Sequence, residues 1–215
     1  MAALTIIIAD DHPLFRGALR QAVDGMEGHV TIIEAGDFDA ARKAASEHSD
    51  ADVMLLDLAM PGVSGFSGLM SLRAEFYSLP IVIVSATDDA TTVHRAIELG
   101  ASGFISKSSG IDDIRNSIRI VLEGDIATPK SYKGAKEHDP DMADLISRLR
   151  TLTPQQNRVL NMLREGLLNK QIAYELGVSE ATIKAHVSAI LLKLKVDSRT
   201  QAVIQLSRIN MPMVA

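Results

Sequence analysis

The 215-residue chain contains no cysteine, which excludes a disulfide framework and any thiol chemistry. No apolar stretch approaches the roughly 20 residues of a membrane span. The opening segment carries no basic region before its apolar run and meets acids at Asp10 and Asp11, so a signal peptide is not expected. Together these absences predict a cytoplasmic, soluble protein without a membrane partner. No internal repeat is found. His12, His94 and His186 do not cluster in the sequence with other ligands, so no zinc site is expected. The net charge of −5 hides a division: residues 1–125 carry 9 basic and 19 acidic side chains, residues 126–150 carry 5 and 4, and residues 151–215 carry 8 and 4. An acidic front and a mildly basic rear leave only the rear suited to a polyanion.

What is present is a rhythm. Apolar runs at residues 4–9, 30–35, 53–56, 81–84 and 103–106 alternate with segments of helical period. Over residues 13–26, Leu14, Phe15, Ala18, Leu19, Ala22, Val23 and Met26 share one helical face. Residues 37–48, 65–76, 89–99 and 111–122 are four further expected helices. Strand and helix alternating five times predict an α/β doubly wound, five-stranded parallel sheet. The nearly all-apolar runs fit strands buried on both faces.

Four of the five runs end on chemistry. Asp10 and Asp11 follow the first, Asp57 the third, Ser85 the fourth and Lys107 the fifth. Parallel strands place all five groups on the same sheet edge, where open α/β sheets bind ligands. One Asp after a strand is ordinarily a helix N-cap, and one Lys an ordinary surface charge. Three carboxylates, a hydroxyl and an amine together need a divalent cation and a phosphate to balance. Mg²⁺ suits carboxylates, a backbone carbonyl and water. Asp57 is then the nucleophile that forms an acyl phosphate, with Lys107 and the cation neutralising charge and Ser85 sensing the phosphoryl group.

The residues also resemble a family. Ala9-Asp10-Asp11-His12-Pro13, the segment from Leu56 through Asp57, Met60, Pro61 and Gly65, Ser85-Ala86, and the segment from Gly100 through Gly103, Phe104 and Lys107 are similar to the receiver domain of bacterial two-component response regulators. The resemblance covers roughly residues 4–123 and implies a flavodoxin-like receiver. It implies a histidine kinase as phosphodonor to Asp57, with Mg²⁺ held by Asp11, Asp57 and the Ala59 carbonyl and by Asp10 through water. Ser85 and Phe104 become a switch pair, Ser85 moving toward the phosphate and Phe104 turning inward. Family members often carry Pro after the lysine with a cis peptide. Ser108 stands there instead, and a cis bond without proline would cost roughly 3 kcal/mol, so that geometry is left open.

The rear differs in kind. Residues 125–140 are polar, with Thr-Pro and Asp-Pro elements, and are expected to be a linker, with a short helix over 141–150 at its end. Thr153, Pro154 and Gln156 form a capping-box helix start. Gly166 can close that helix, residues 170–176 form a second, and the Gly177-Val178-Ser179 turn leads to a third, ending near Leu194. Residues 199–209 form a fourth. The third helix presents Ala181, Ala185, Ser188 and Ala189 opposite its apolar stripe, a small face able to sit in a groove about 12 Å wide. Helix, glycine turn and helix form a DNA-reading unit. Ala also simply favours helix.

Leu152-Thr153-Pro154, Asn169-Lys170, Leu176-Gly177-Val178-Ser179, Thr182-Ile183-Lys184, His186 and Ser198-Arg199 resemble the LuxR-type domain of the NarL/FixJ subfamily. Gln156, Leu168, Ser188 and Lys195 depart from its usual pattern. The resemblance implies that Lys184, Ala185 and Ser188 face bases or phosphates, that Asn169, Lys170 and Thr182 hold the DNA backbone, and that Ala202, Val203 and Leu206 form a dimer seam. It implies a double-stranded DNA operator, a homodimer when phosphorylated, and RNA polymerase as an admissible partner. The expected organisation is a receiver at 1–124, a linker at 125–149 and an all-α four-helix helix-turn-helix domain at 150–215. The whole is expected to be a phosphorylation-activated transcription regulator and not an enzyme. A phosphatase would need an acid or base near the phosphoryl group, and Ala59 supplies neither. A constitutive DNA binder whose receiver only dimerises would not need the five-residue edge.

Overall fold

The computed structural model describes residues 4–26, 28–63, 65–133 and 140–210. Two compact units divide the chain, residues 1–136 and 137–215.

In the first unit, β1 (Leu4–Ala9), β2 (Val30–Ala35), β3 (Val53–Asp57), β4 (Ile81–Ser85) and β5 (Gly103–Ser106) form one parallel sheet in the order β2-β1-β3-β4-β5. The expected doubly wound fold is therefore present. Between the strands run α1 (Pro13–Asp24), α2 (Phe38–Glu47), α3 (Ser67–Glu75) and α4 (Ala90–Glu98), and α5 (Ile111–Leu122) follows β5. Right-handed crossovers on a sheet that reverses its winding at β1 put α1 and α5 on one face and α2, α3 and α4 on the other. Ile6, Ile8, Val53, Leu55, Val82, Val84 and Ile105 pack with Leu19, Val23, Ile114 and Ile118 of the α1/α5 layer. Their alternates Ile7, Met54, Leu56, Ile83 and Phe104 are buried on the other face. β3 and β4 are buried at every position, which is why their sequences are continuous apolar runs. α3 starts later than its periodicity predicts because Gly65 sits at φ +53°, outside the right-handed helix.

The reversal of winding opens a crevice between the carboxyl ends of β1 and β3. Asp10 and Asp11 sit just beyond β1 and Asp57 is the last residue of β3.

The second unit is all helical: α6 (Pro140–Leu149), α7 (Pro154–Arg164), α8 (Asn169–Glu175), α9 (Glu180–Leu194) and α10 (Arg199–Asn210). The Thr153 capping box is formed on both sides: Gln156 N donates to Thr153 Oγ1 at 3.3 Å, and Thr153 N donates to Gln156 Oε1 at 3.1 Å. Gly166 and Gly177 adopt positive φ at the ends of α7 and α8.

The expected linker over 125–149 needs correction at both ends. The chain up to Tyr132 stays on the first unit, with Ala127 bridged to Gly103, Lys130 paired with Asp113 and Tyr132 with His94. Pro140–Leu149 is a helix of the second unit that packs on α9 and buries Leu145, Ile146 and Leu149. Its Arg148 donates to the Leu194 carbonyl, one of the carbonyls that α9 leaves unpaired at its C-terminus. The short helix expected at the end of the linker is therefore present, and its three buried apolar residues make it part of the second unit. Among the described residues no helix is long and apolar enough to cross a membrane.

Candidate functional site

Each residue at the sheet edge is placed there by its strand. Asp10 is fully buried and Asp57 is 2 % exposed. Lys107 follows β5, and its amide donates to the Ser85 carbonyl at 2.8 Å, tying the fourth and fifth strand ends together. Its ammonium lies 2.8 Å from Asp57 Oδ2 and 2.9 Å from Asp10 Oδ2. It also sits 5.0 Å from the centre of the Phe15 ring, a cation–π distance. Burial pulls the Lys107 pKa down, but hydrogen bonds and charge from Asp57 and Asp10 outweigh it, so the group stays above its ordinary value. Backbone donors complete the ring: His12 N to Asp10 Oδ1 at 2.8 Å and Ala59 N to Asp57 Oδ1 at 3.1 Å.

Ser85 Oγ accepts from Thr87 N at 3.1 Å and lines the same cleft of about 470 Å³ as Asp57, Ala59, Lys107, His12 and Phe15. Phe104 is fully buried, so its inward position is the one seen. Among the described residues there is no cis peptide bond, and Lys107–Ser108 is trans.

The expectation that His12 stands apart from other ligands is overturned. Its Nδ1 lies 2.7 Å from Asp11 Oδ1, 3.5 Å from Asp10 Oδ1 and 3.8 Å from Asp57 Oδ2. One ligand atom from each of Asp10, Asp11, His12 and Asp57 falls within 4.8 Å of the others. Asp10 Oδ2 is buried against the Lys107 ammonium at 2.9 Å and Asp11 Oδ1 against His12 Nδ1 at 2.7 Å, which leaves each oxygen with further acceptor capacity. Converging oxygens with unfilled acceptor capacity are what a hard divalent cation takes. Adjacency to Asp10 and Asp11 in the sequence was the signal for His12.

In the second unit, α9 turns Ile183, Ile190 and Leu194 into the core and leaves Ala181, Thr182, Lys184, Ala185 and Ser188 exposed. Lys170 is exposed and Asn169 half-buried at the start of α8. Five of the six expected DNA contacts are therefore exposed and Asn169 is half-buried. Ser179 caps α9 by accepting from Thr182 N at 3.1 Å, and its hydroxyl also meets Thr182 Oγ1 at 2.8 Å. Lys184 pairs with Glu180 at 3.0 Å, one turn away. Glu180 was missed in the sequence, although its i, i+4 spacing to Lys184 predicts the pair.

The expected dimer seam is contradicted in part. Ala202 is 0 % and Leu206 1 % exposed, because that side of α10 packs on α7 and α9. Both residues are core. Val203 is half-buried, and Ile204 is an exposed apolar residue of α10. An apolar stripe in the sequence cannot say whether it meets its own domain or a second copy.

Comparison with known proteins matches residues 6–119 to the family described as response regulator receiver domain. Residues 150–206 match bacterial regulatory proteins of the luxR family. The chain is 42 % identical over 212 residues to the glycerol metabolism activator of Pseudomonas putida, covering 95 % of this chain and 96 % of that one. It is 36 % identical over 200 residues to the nitrate/nitrite response regulator NarP of Escherichia coli K12, covering 93 % and 92 %. Among solved structures, RcsB of Salmonella enterica serovar Typhimurium bound to promoter P1flhDC in the presence of the phosphomimetic BeF3⁻ is similar, with TM-score 0.55, 25 % identity and coverage of 96 % and 98 %.

Proposed function

The chain belongs to the NarL-type response regulators, a receiver joined to a LuxR-type helix-turn-helix domain, and from that premise we propose that phosphorylation of Asp57 controls its binding to operator DNA. It is a DNA-binding transcription regulator. The observation that carries the phosphoacceptor reading is the Lys107 ammonium lying between the buried carboxylates of Asp57 and Asp10.

An Asp57 carboxylate oxygen attacks the phosphorus of a phosphohistidine on the donor kinase. The phosphorus–nitrogen bond breaks, imidazole leaves with its electron pair, and an acyl phosphate remains on Asp57. Lys107 holds the carboxylate and meets the charge that develops on the phosphoryl oxygens. Asp11, Asp57 and the Ala59 carbonyl would hold Mg²⁺, with Asp10 acting through water; the ion supplies charge neutralisation and in-line positioning. The Ser85 hydroxyl turns from Thr87 N to donate to a phosphoryl oxygen, and Phe104 stays inward in that state. Ala59 gives no acid or base for turnover, which supports regulator over phosphatase.

At the output, α9 enters the major groove. Lys184, Ala185 and Ser188 face bases or phosphates, while Asn169, Lys170 and Thr182 contact the backbone and so set register without reading sequence. Binding as a pair places two such helices about one turn of DNA apart, with Val203 and Ile204 the α10 residues open to a second copy. RNA polymerase is a partner such an output admits.

Intact mass after incubation with acetyl phosphate and Mg²⁺ tests the chemistry. Wild type is expected to gain one phosphate. Asp57→Ala, and wild type without Mg²⁺, are not. If wild type neither gains mass nor binds beryllofluoride, the phosphoacceptor reading is wrong.

A further inference from the structure

His12 is the N-cap of α1, and its backbone is fixed on both sides: its amide donates to Asp10 Oδ1 at 2.8 Å and its carbonyl accepts from Arg16 N at 3.0 Å. N-cap side chains ordinarily turn onto the free amides of the first helical turn. The His12 side chain makes no such bond, and Pro13 at N1 has no amide to offer. The ring instead turns back over the sheet edge. Its Nδ1 stands 2.7 Å from Asp11 Oδ1, 3.5 Å from Asp10 Oδ1 and 3.8 Å from Asp57 Oδ2. Asp10 and Asp57 are buried, whereas the His12 side chain is 62 % exposed, so the ring meets these carboxylates from the solvent side.

These are the separations of ligand atoms that share one ion. With bonds of about 2.1 Å, adjacent ligands of an octahedron lie about 3.0 Å apart and opposite ones about 4.2 Å. A hydrogen bond to Asp11 accounts for the shortest contact alone. It does not account for the same nitrogen reaching two further carboxylates that are themselves buried. Among the described residues this is the only group of three or more such ligands. An imidazole also brings a preference of its own: Mg²⁺ takes oxygen ligands, while imidazole nitrogen suits first-row transition ions.

We propose that His12 Nδ1 is a direct ligand of the divalent ion, so that the sheet edge is a mixed oxygen–nitrogen site in which this residue favours a transition ion such as Mn²⁺ over Mg²⁺. This rests on the metal-dependent reading of Asp57 above. Asp11, Asp57 and the Ala59 carbonyl supply three ligands and His12 a fourth, which leaves places for the water held by Asp10 and for a phosphoryl oxygen. His12 thereby sets which ion accompanies phosphorylation and holds it before a phosphodonor arrives.

Paramagnetic resonance on the full chain without an affinity tag, at about pH 8 where an imidazole is neutral, tests this with Mn²⁺ and Mg²⁺ as probes. The free-ion signal gives the Mn²⁺ affinity, competition gives that of Mg²⁺, and spin-echo modulation of bound Mn²⁺ reports a ligating nitrogen. His12→Ala removes a largely exposed ring that makes no cap bond, so the fold is kept. Wild type is expected to show the nitrogen modulation. The variant is expected to lose it, to bind Mn²⁺ roughly tenfold more weakly, and to change its Mg²⁺ affinity by less than about twofold. An unchanged or tighter Mn²⁺ affinity in the variant overturns the proposal, because His12 is then a charge partner that competes with the ion. Weaker binding by the variant, where wild type shows no nitrogen modulation, overturns it too. Mg²⁺ binding alongside either result leaves the Asp57 reading standing, whereas a wild type that binds neither ion counts against both.

Discussion

Asp11 is expected to cost the metal-free protein stability, and its removal to restore it. The ligand atoms of Asp10, Asp11, His12 and Asp57 lie within 4.8 Å of one another, and Asp11 Oδ1 is buried against the His12 ring at 2.7 Å, a contact open to a neutral imidazole that leaves the carboxylate repulsion in place. At that separation and an effective dielectric of about 20, each carboxylate pair repels by about 3.5 kcal/mol. Asp11 faces two such partners, and the Lys107 ammonium, bound to both of them, offsets roughly one. Relaxation and solvent reduce what is left to about 2 kcal/mol. Asp11→Asn keeps the shape and removes the charge, so calorimetry in EDTA at pH 8 should show the receiver transition rising by about 8 °C. Adding 10 mM Mg²⁺ should raise the wild-type transition, since a ligand that binds only the folded state stabilises it, and should leave the variant unmoved. A variant melting at or below wild type in EDTA would refute the electrostatic account of this site. A function-bearing position that is destabilising in the ligand-free state is the general expectation for such sites.

Other perturbations reach the remaining parts. Lys107 has a raised pKa in the fold, so its contribution is complete below the unfolded value of about 10.4 and is lost as pH climbs through the folded value; wild type should lose receiver stability over that alkaline range in denaturant titrations, and Lys107→Met should not. Lys195 closes α9 at φ 54°, a left-handed conformation that disfavours a side chain; Lys195→Gly should stabilise the second unit by about 0.5–1 kcal/mol in urea titrations. Thr153→Ala removes one side of the α7 capping box and should cost about 1 kcal/mol in the same assay. Lys184→Ala should weaken operator binding and flatten the dependence of log affinity on log salt by about 0.9 if Lys184 meets a phosphate.

Much of this molecule is local in its sequence. Residues 4–9, 30–35 and 103–106 are strands with the limits their apolar runs suggest, because a run of β-branched and apolar residues bounded by polar or turn residues favours an extended segment that packs into a sheet. The helix starts at Thr153 and Ser179 were legible because their side chains bond to amides three residues on, a relation spanning one turn. Asp10, Asp57, Ser85 and Lys107 could be placed at one edge from topology alone, since parallel strands all end on the same side.

What the chain alone could not decide was which surfaces meet. Ala202 and Leu206 form an apolar stripe either way, and only the packing of α10 on α7 and α9 makes them core. His12 became part of the acidic cluster through the turn from β1 into α1, which swings its ring over Asp11. The segment around Ala127 is polar and short, with no period to announce it. Its place beside β5 comes from an edge strand with an unpaired amide, and from a glycine that leaves room for the chain to approach. Local chemistry determined the elements and the inventory of the site, because caps, turns and buried strands are settled within a few residues. Partnership across the fold was decided by the tertiary structure, because burial depends on what the rest of the chain brings alongside.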